Sequence, residues 1–215
     1  MLEQYLSTAV NKAKSFDVSE FNLELFHLGG FSGKLTRILL NKLLSFQHIN
    51  YLEIGVWQGS TFCSALHNNY PNYAVAIDNW SQTWENEFNV NPLEEFKKNT
   101  DRFISCPFEF YNNDCFRFDL NNLKQQFNIY FYDGGHTEKE QYDALRYYYN
   151  VLQDKFIYLV DDWNFSEVPA GTYRAINDLN LRVVSEYTMR TNAINGHGNF
   201  NTYWNGYGCF VLEKT

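Results

Sequence analysis

The chain has 215 residues, enough for one domain with a sizeable core, or one domain with a small appendage. Hydrophobic residues make up 45% and charged residues 20%, both ordinary for a globular protein, and the formal net charge is −8. That charge, with no Lys/Arg cluster along the chain, argues against nucleic acid as a partner, and no run of about 18 apolar residues offers a membrane span.

Residues 1–15, beginning MLEQYLSTAVNKAK, read as a short amphipathic helix rather than a secretory leader, because no apolar centre is present. FDVSEFNLELFHLGGFSG is less regular, and its glycines predict a loop. The first 30 or so residues are expected to form a helical extension, with a single domain over 31–215. GKLTRILLNKLLSFQ places Leu35, Ile38, Leu39, Leu43 and Leu44 at helical spacing. NYLEIGVWQG predicts a short strand ending in glycine, with a helix over STFCSALHNNY. NYAVAIDNW is the next strand, bounded by Pro71 and stopped at Asp78. Residues 83–103 suit one or two helices broken by Pro92. FEFYNNDCF predicts a weaker strand and LNNLKQQF a short helix. NIYFYDGG is a strand, EKEQYDALRYYYNVLQ a helix, and KFIYLVDDWN a strand. TYRAINDLN after Pro169 reads as a helix. LRVVSEYTMR and YGCFVLEK close the chain as two strands with no helix between them, hence an antiparallel pair.

Strands alternating with helices predict a doubly wound α/β fold, a mostly parallel sheet covered on both faces. The 19 Phe, 16 Tyr and 5 Trp imply a core rich in rings. Cys63, Cys106, Cys115 and Cys209 are scattered without a CxxC pair, which argues against zinc and for reduced thiols in a cytoplasmic protein.

In open sheets of this kind ligands bind beyond the carboxyl ends of the strands. Five such ends are expected, at Glu53–Gly59, Asp78–Trp80, Asn113–Asp114, Asp133–His136 and Asp161–Asn164, and every one carries an acid. In EIGVWQGST, Gly55 and Gly59 permit tight turns, and Ser60 and Thr61 can open the next helix. The pattern is neither GxGxxG nor a phosphate loop, and Glu53 suits a cationic amine better than a phosphate. Asp78, with Asn79 beside it, can accept both hydroxyls of a ribose, a geometry shared by NAD enzymes and S-adenosylmethionine enzymes. Asp114 or Asn113 can reach an adenine amino group.

The set YLEIGVWQGS, AIDNW, YNNDCF, IYFYDGGH and YLVDDWN, over roughly residues 50–215, resembles a class I S-adenosylmethionine-dependent methyltransferase. DGGH followed by a helix and VDDWN is similar to the branch that includes the macrolide-sugar O-methyltransferases. The resemblance implies seven strands with the last antiparallel. It implies a cofactor site at Glu53, Gly55, Gly59, Ser60, Asp78, Asn79, Asp114 and Asp133. It further implies Asp133, Asp161 and Asp162 as ligands of Mg2+, and His136 and Asp133 as catalytic residues, His136 as the base. Trp57 departs from the family, since many members have glycine there. Independently of any family, three carboxylates gathered at one sheet edge would repel each other unless a cation neutralised them.

The acceptor implied is a small molecule with a hydroxyl, a sugar or sugar-bearing metabolite, and a homodimer is compatible with the aromatic surface. An NAD(P)-linked oxidoreductase is disfavoured by the missing GxGxxG and Tyr-x-x-x-Lys, and a non-catalytic cofactor-binding module by the presence of base and metal candidates. Residues 26–34 and 191–208 are expected to shape the acceptor pocket, the latter through His197, Tyr203 and Trp204.

Overall fold

A computed structural model describes residues 1–82, 91–192 and 198–215. Seven strands form one sheet: β1 (Asn50–Ile54), β2 (Tyr73–Asp78), β3 (Glu109–Asn112), β4 (Phe127–Tyr132), β5 (Leu152–Asp161), β6 (Arg182–Met189) and β7 (Tyr207–Glu213). Their spatial order is β3-β2-β1-β4-β5-β7-β6. The first five are parallel, and β7 runs antiparallel to both β5 and β6. The doubly wound sheet with an antiparallel end is thus the one its sequence predicts. The order in which the chain adds strands reverses between the parallel neighbours β1 and β4, where Glu53 pairs with Phe131 and Ile54 with Tyr132. The crevice outside the carboxyl ends of these two strands is the switch point at which such sheets bind ligands.

Period-two alternation divides the strand side chains between two cores. On one face Tyr51, Ala74, Phe131 and Leu159 pack beneath α1 (Leu2–Lys14), α2 (Lys34–Leu44), α3 (Ser60–Leu66) and α4 (Pro92–Phe103). On the other, Leu52, Val75, Tyr130 and Tyr158 pack beneath α5 (Glu138–Tyr148) and α6 (Glu167–Asp178). Helix α1 buries Leu6, Ala9, Val10 and Ala13 in the same apolar cluster as α2. Among the described residues no helix is long and apolar enough to cross a membrane.

Two local expectations are corrected. Pro92, expected as a break between helices, opens α4 at its first position, where its missing N–H is not needed, and the Asn91 side chain caps Leu93 and Glu94. The expected helix over 83–90 lies outside the described residues. LNNLKQQF forms only a three-residue 3-10 turn, Leu120–Asn122, because Asp119 ties down the Asn121 N–H and the chain is extended again at Leu123. Helix α6 starts before Pro169, which again falls within a first turn.

Candidate active site

A cleft of about 1450 Å3 runs along the carboxyl ends of the strands. Gly55, Ser60, Asp78, Asn79, Asp114, Asp133, His136, Asp161 and Asp162 all line it. Four of the five expected acidic strand ends therefore share one rim.

Glu53 does not. It is fully buried one layer below, where the Tyr51 hydroxyl donates to Oε2 at 2.5 Å and the Thr61 hydroxyl donates to Oε1. Burial pushes its carboxyl up to about 8. Expected to reach a cationic amine directly or through water, Glu53 lies below the cleft, its carboxyl taken up by Tyr51 and Thr61.

The β1–α3 turn owes its path to two glycines. A Cβ on Gly55, at φ +84°, would collide with the carbonyl oxygen of Asp133 on the neighbouring strand end. A Cβ on Gly59, also at φ +84°, would stand 2.9 Å from Phe96. Trp57 itself has φ +42°, a left-handed conformation that glycine adopts most readily, so this chain carries a bulky residue where the backbone favours glycine. Its backbone N–H is repaid by Asp78, whose Oδ2 accepts it at 2.8 Å, while Oδ1 accepts the Trp80 N–H at 2.6 Å. Burial raises the Asp78 carboxyl above its ordinary range against these bonds. Trp80 is buried against Phe96 at 5.2 Å between ring centres, as part of the core. Asp114 accepts the Phe116 N–H at 2.9 Å and stays half-buried at the end of β3.

The second half of the site lies beyond β4 and β5. One ligand atom each from Asp133, Asp161 and Asp162 falls within 4.8 Å of the others. Strand alternation alone would send Asp161 and Asp162 to opposite faces. Asp162 instead follows the end of β5 at φ +56°, and this turn brings both carboxylates to Asp133. Burial and the facing carboxylates push both Asp133 and Asp161 up. Asp161 Oδ1 is buried without a hydrogen bond among the described residues. His136 Nε2 lies 2.6 Å from Asp162 Oδ2, and that bond raises the imidazole above its ordinary value. The helix cap next to it is Thr137, in a reciprocal capping box with Glu140, so His136 is not used as a cap.

Phe165 and Arg190 reach the site without a signal in the sequence, whereas Phe31, Ser32 and Asn205 come from the two segments, 26–34 and 191–208, expected to shape the acceptor pocket. Phe165 stacks on the His136 ring at 5.4 Å, and Asn205 Nδ2 donates to Asp162 Oδ1 at 3.0 Å. Phe31 and Ser32, from the glycine-bearing segment before α2, and Arg190 also line the cleft. Of the aromatic residues expected to contact an acceptor, Trp204 lines the cleft, Tyr203 is buried against Tyr207, and His197 lies outside the described residues.

A family described as a methyltransferase domain matches residues 52–163, just over half of the chain. No curated protein sequence matches. Among solved structures, TrmN from Thermus thermophilus is 16% identical with a TM-score of 0.59 over 89% of this chain, which spans only 52% of that protein. An O-methyltransferase from Bacillus cereus in complex with SAH is 12% identical with a TM-score of 0.55, over 99% of this chain and 100% of that one. A putative RNA methyltransferase from Pyrococcus horikoshii is 12% identical with a TM-score of 0.59, over 93% and 98%. At these identities the likeness is one of fold.

Proposed function

Since the chain belongs to the methyltransferase domain family, as a class I S-adenosylmethionine-dependent methyltransferase, we propose that it methylates a hydroxyl of a small molecule, a sugar or sugar-bearing metabolite, with help from Mg2+. The observation that carries this reading is the meeting of His136 with Asp133, Asp161 and Asp162 at the end of a cleft whose other end holds Asp78 and Asp114.

The roles divide along the rim. Asp78 and Asn79 take the ribose, Asp114 the adenine, and Gly55, Gly59 and Ser60 leave room for the methionine portion. Glu53 acts from below, holding Thr61 and the turn in place. The cofactor supplies an electrophilic methyl group; what this chain must add is an oxygen ready to receive it. A hydroxyl is a poor nucleophile until its proton leaves. His136 Nε2–H donates to Asp162, which leaves Nδ1 as the basic nitrogen, and Phe165 and Asp162 hold the ring still. Proton removal by a positioned imidazole contributes about 10²–10⁴-fold.

The donor set also suits magnesium, which takes oxygen ligands. Three converging carboxylates, one with an unpartnered buried oxygen, are a repulsive arrangement that a divalent cation would relieve. Asp133, Asp161 and Asp162 would hold it. Such an ion would lower the pKa of the acceptor hydroxyl and orient it.

Calorimetric titration with S-adenosylmethionine, with and without Mg2+, on wild type and Asp161→Asn tests this division. Cofactor binding is expected to survive the substitution and Mg2+ binding to weaken markedly; loss of both would show that the roles are wrongly placed. Transfer of labelled methyl to a panel of hydroxylated sugars then tests the acceptor class.

A further inference from the structure

Arg37 on α2 is fully buried, an uncommon place for a guanidinium. Its hydrogen bonds all go to neutral acceptors. Nη1 donates to the carbonyls of Leu25 at 2.6 Å and Leu28 at 3.2 Å. Nε donates to Ser32 Oγ at 3.0 Å, and Nη2 to the Ser32 carbonyl at 3.4 Å. The Phe200 ring lies 5.5 Å from the guanidinium carbon. No carboxylate pairs with it among the described residues, and burial pulls its pKa down to about 10. A lone buried charge is expensive, and the same carbonyls could be held by neutral donors. The charge therefore asks for a purpose.

Its position supplies one. Ser32 Oγ, which accepts from Arg37, is 3.2 Å from Ser60 Oγ, and both serines line the cleft beside Gly30. A Cβ built on Gly30 would meet Ser60 Oγ and stand 3.8 Å from Arg37 Nη2. Arg37 is thus one layer behind the cleft wall, at the end of β1, between the Asp78–Asp114 end and the Asp133–His136 end. Among the described residues the cleft is otherwise strongly acidic: six carboxylates line it, against His136 and Arg190 as groups able to carry positive charge. S-adenosylmethionine carries a sulfonium, an ammonium and a carboxylate. The acidic rim favours the first two and repels the third.

We propose that Arg37 is a positioning residue whose buried charge, relayed by Ser32 and Ser60, holds the carboxylate of the methionine moiety against the acidic field of the cleft. The inference rests on the cofactor reading above. The two hydroxyls present the contact and Arg37 polarises them, so the guanidinium itself stays dry.

The test compares S-adenosylmethionine with its decarboxylated analogue, which keeps the adenosine, sulfonium and ammonium. Calorimetry on wild type, Arg37→Lys, Arg37→Gln and Ser32→Ala, each first checked by thermal melting, reads the ratio of the two dissociation constants. Wild type is expected to prefer the carboxylate-bearing ligand by about tenfold or more. Arg37→Gln should bring the ratio near parity, Arg37→Lys should keep most of it, and Ser32→Ala should lower it severalfold. A residue that merely supports the segment would weaken both ligands by one factor and leave the ratio unchanged, which overturns the inference. Equal affinity of wild type for the two ligands overturns it without any variant. Failure of wild type to bind S-adenosylmethionine at all would instead remove the cofactor reading, and this inference with it.

Discussion

Burial of Glu53 between Tyr51 and Thr61 pushes its carboxyl up to about 8, and this gives the fold a pH dependence of definite sign. In the unfolded chain a glutamate gives up its proton near pH ~4.3. Between there and about 8 the folded state binds more protons than the unfolded one, so stability falls as pH rises through that window. The loss is complete above the folded value and is on the order of a few kcal/mol. Asp78, Asp133 and Asp161, also pushed up, contribute with the same sign. Urea denaturation of the cofactor-free, metal-free protein at several pH values from 5 to 8 is expected to show this decline, and Glu53→Gln to make it shallower. An identical slope in the variant would mean that Glu53 is ionised in the fold. At this scale the sequence exposes which acids stop the strands but not which side chains close over them. Glu53 reads as one more rim acid because Tyr51 and Thr61, two and eight positions away, carry no mark that both hydroxyls turn toward it. Asp161 and Asp162 converge only through a left-handed turn that no glycine announces.

Helix α5 begins where DGGH ends, and its first turn fixes how the loop carrying Asp133 and His136 leaves β4. The Thr137 hydroxyl accepts the Glu140 N–H at 3.2 Å, and the Glu140 carboxylate in return accepts the Thr137 N–H at 3.1 Å. Thr137→Ala removes half of this exchange and is expected to lower stability by about 1 kcal/mol, read as a reduced melting temperature. Because His136 immediately precedes the cap, the same change should lower methyl transfer more than it lowers cofactor affinity; equal effects on both would detach the cap from the site. Among the elements, α1, α2 and α5 are readable from periodicity because each buries a regular stripe, and the central strands from short apolar runs that are buried along their length and bounded by turn residues. The failures sit at a proline and at asparagines. Pro169 looks like a helix boundary, yet it occupies a first turn where a proline is tolerated. In LNNLKQQF the polar side chains satisfy the backbone locally, so a helix is not needed to do it.

Across the whole molecule, the cleft is closed over by pieces that the chain brings from opposite ends. The Lys34 N–H donates to the Phe200 carbonyl at 2.8 Å, the Leu35 N–H to the Thr202 carbonyl at 3.1 Å, and Lys34 Nζ to Asn201 Oδ1 at 2.9 Å. These bonds join the segment carrying Phe31 and Ser32 to the one carrying Trp204 and Asn205, so aromatic rings and amides stand over an acidic floor. Relatives in fold include proteins named as RNA methyltransferases, so fold alone leaves the acceptor open. Charge bears on the choice. Among the described residues a polynucleotide approaching this rim meets six carboxylates, and the chain carries a net charge of −8, an arrangement that disfavours the counterion release by which nucleic acids bind. A small hydroxylated acceptor meets instead rings to stack on and amides to bond. Filter binding with bulk tRNA is therefore expected to show no saturation up to ~10 µM at ~0.15 M salt, where even non-specific binders reach micromolar affinity. Labelled methyl should likewise fail to enter the RNA. Tight binding that weakens steeply with salt would reveal a basic surface that the charge distribution does not suggest, and would replace the small-molecule acceptor with RNA.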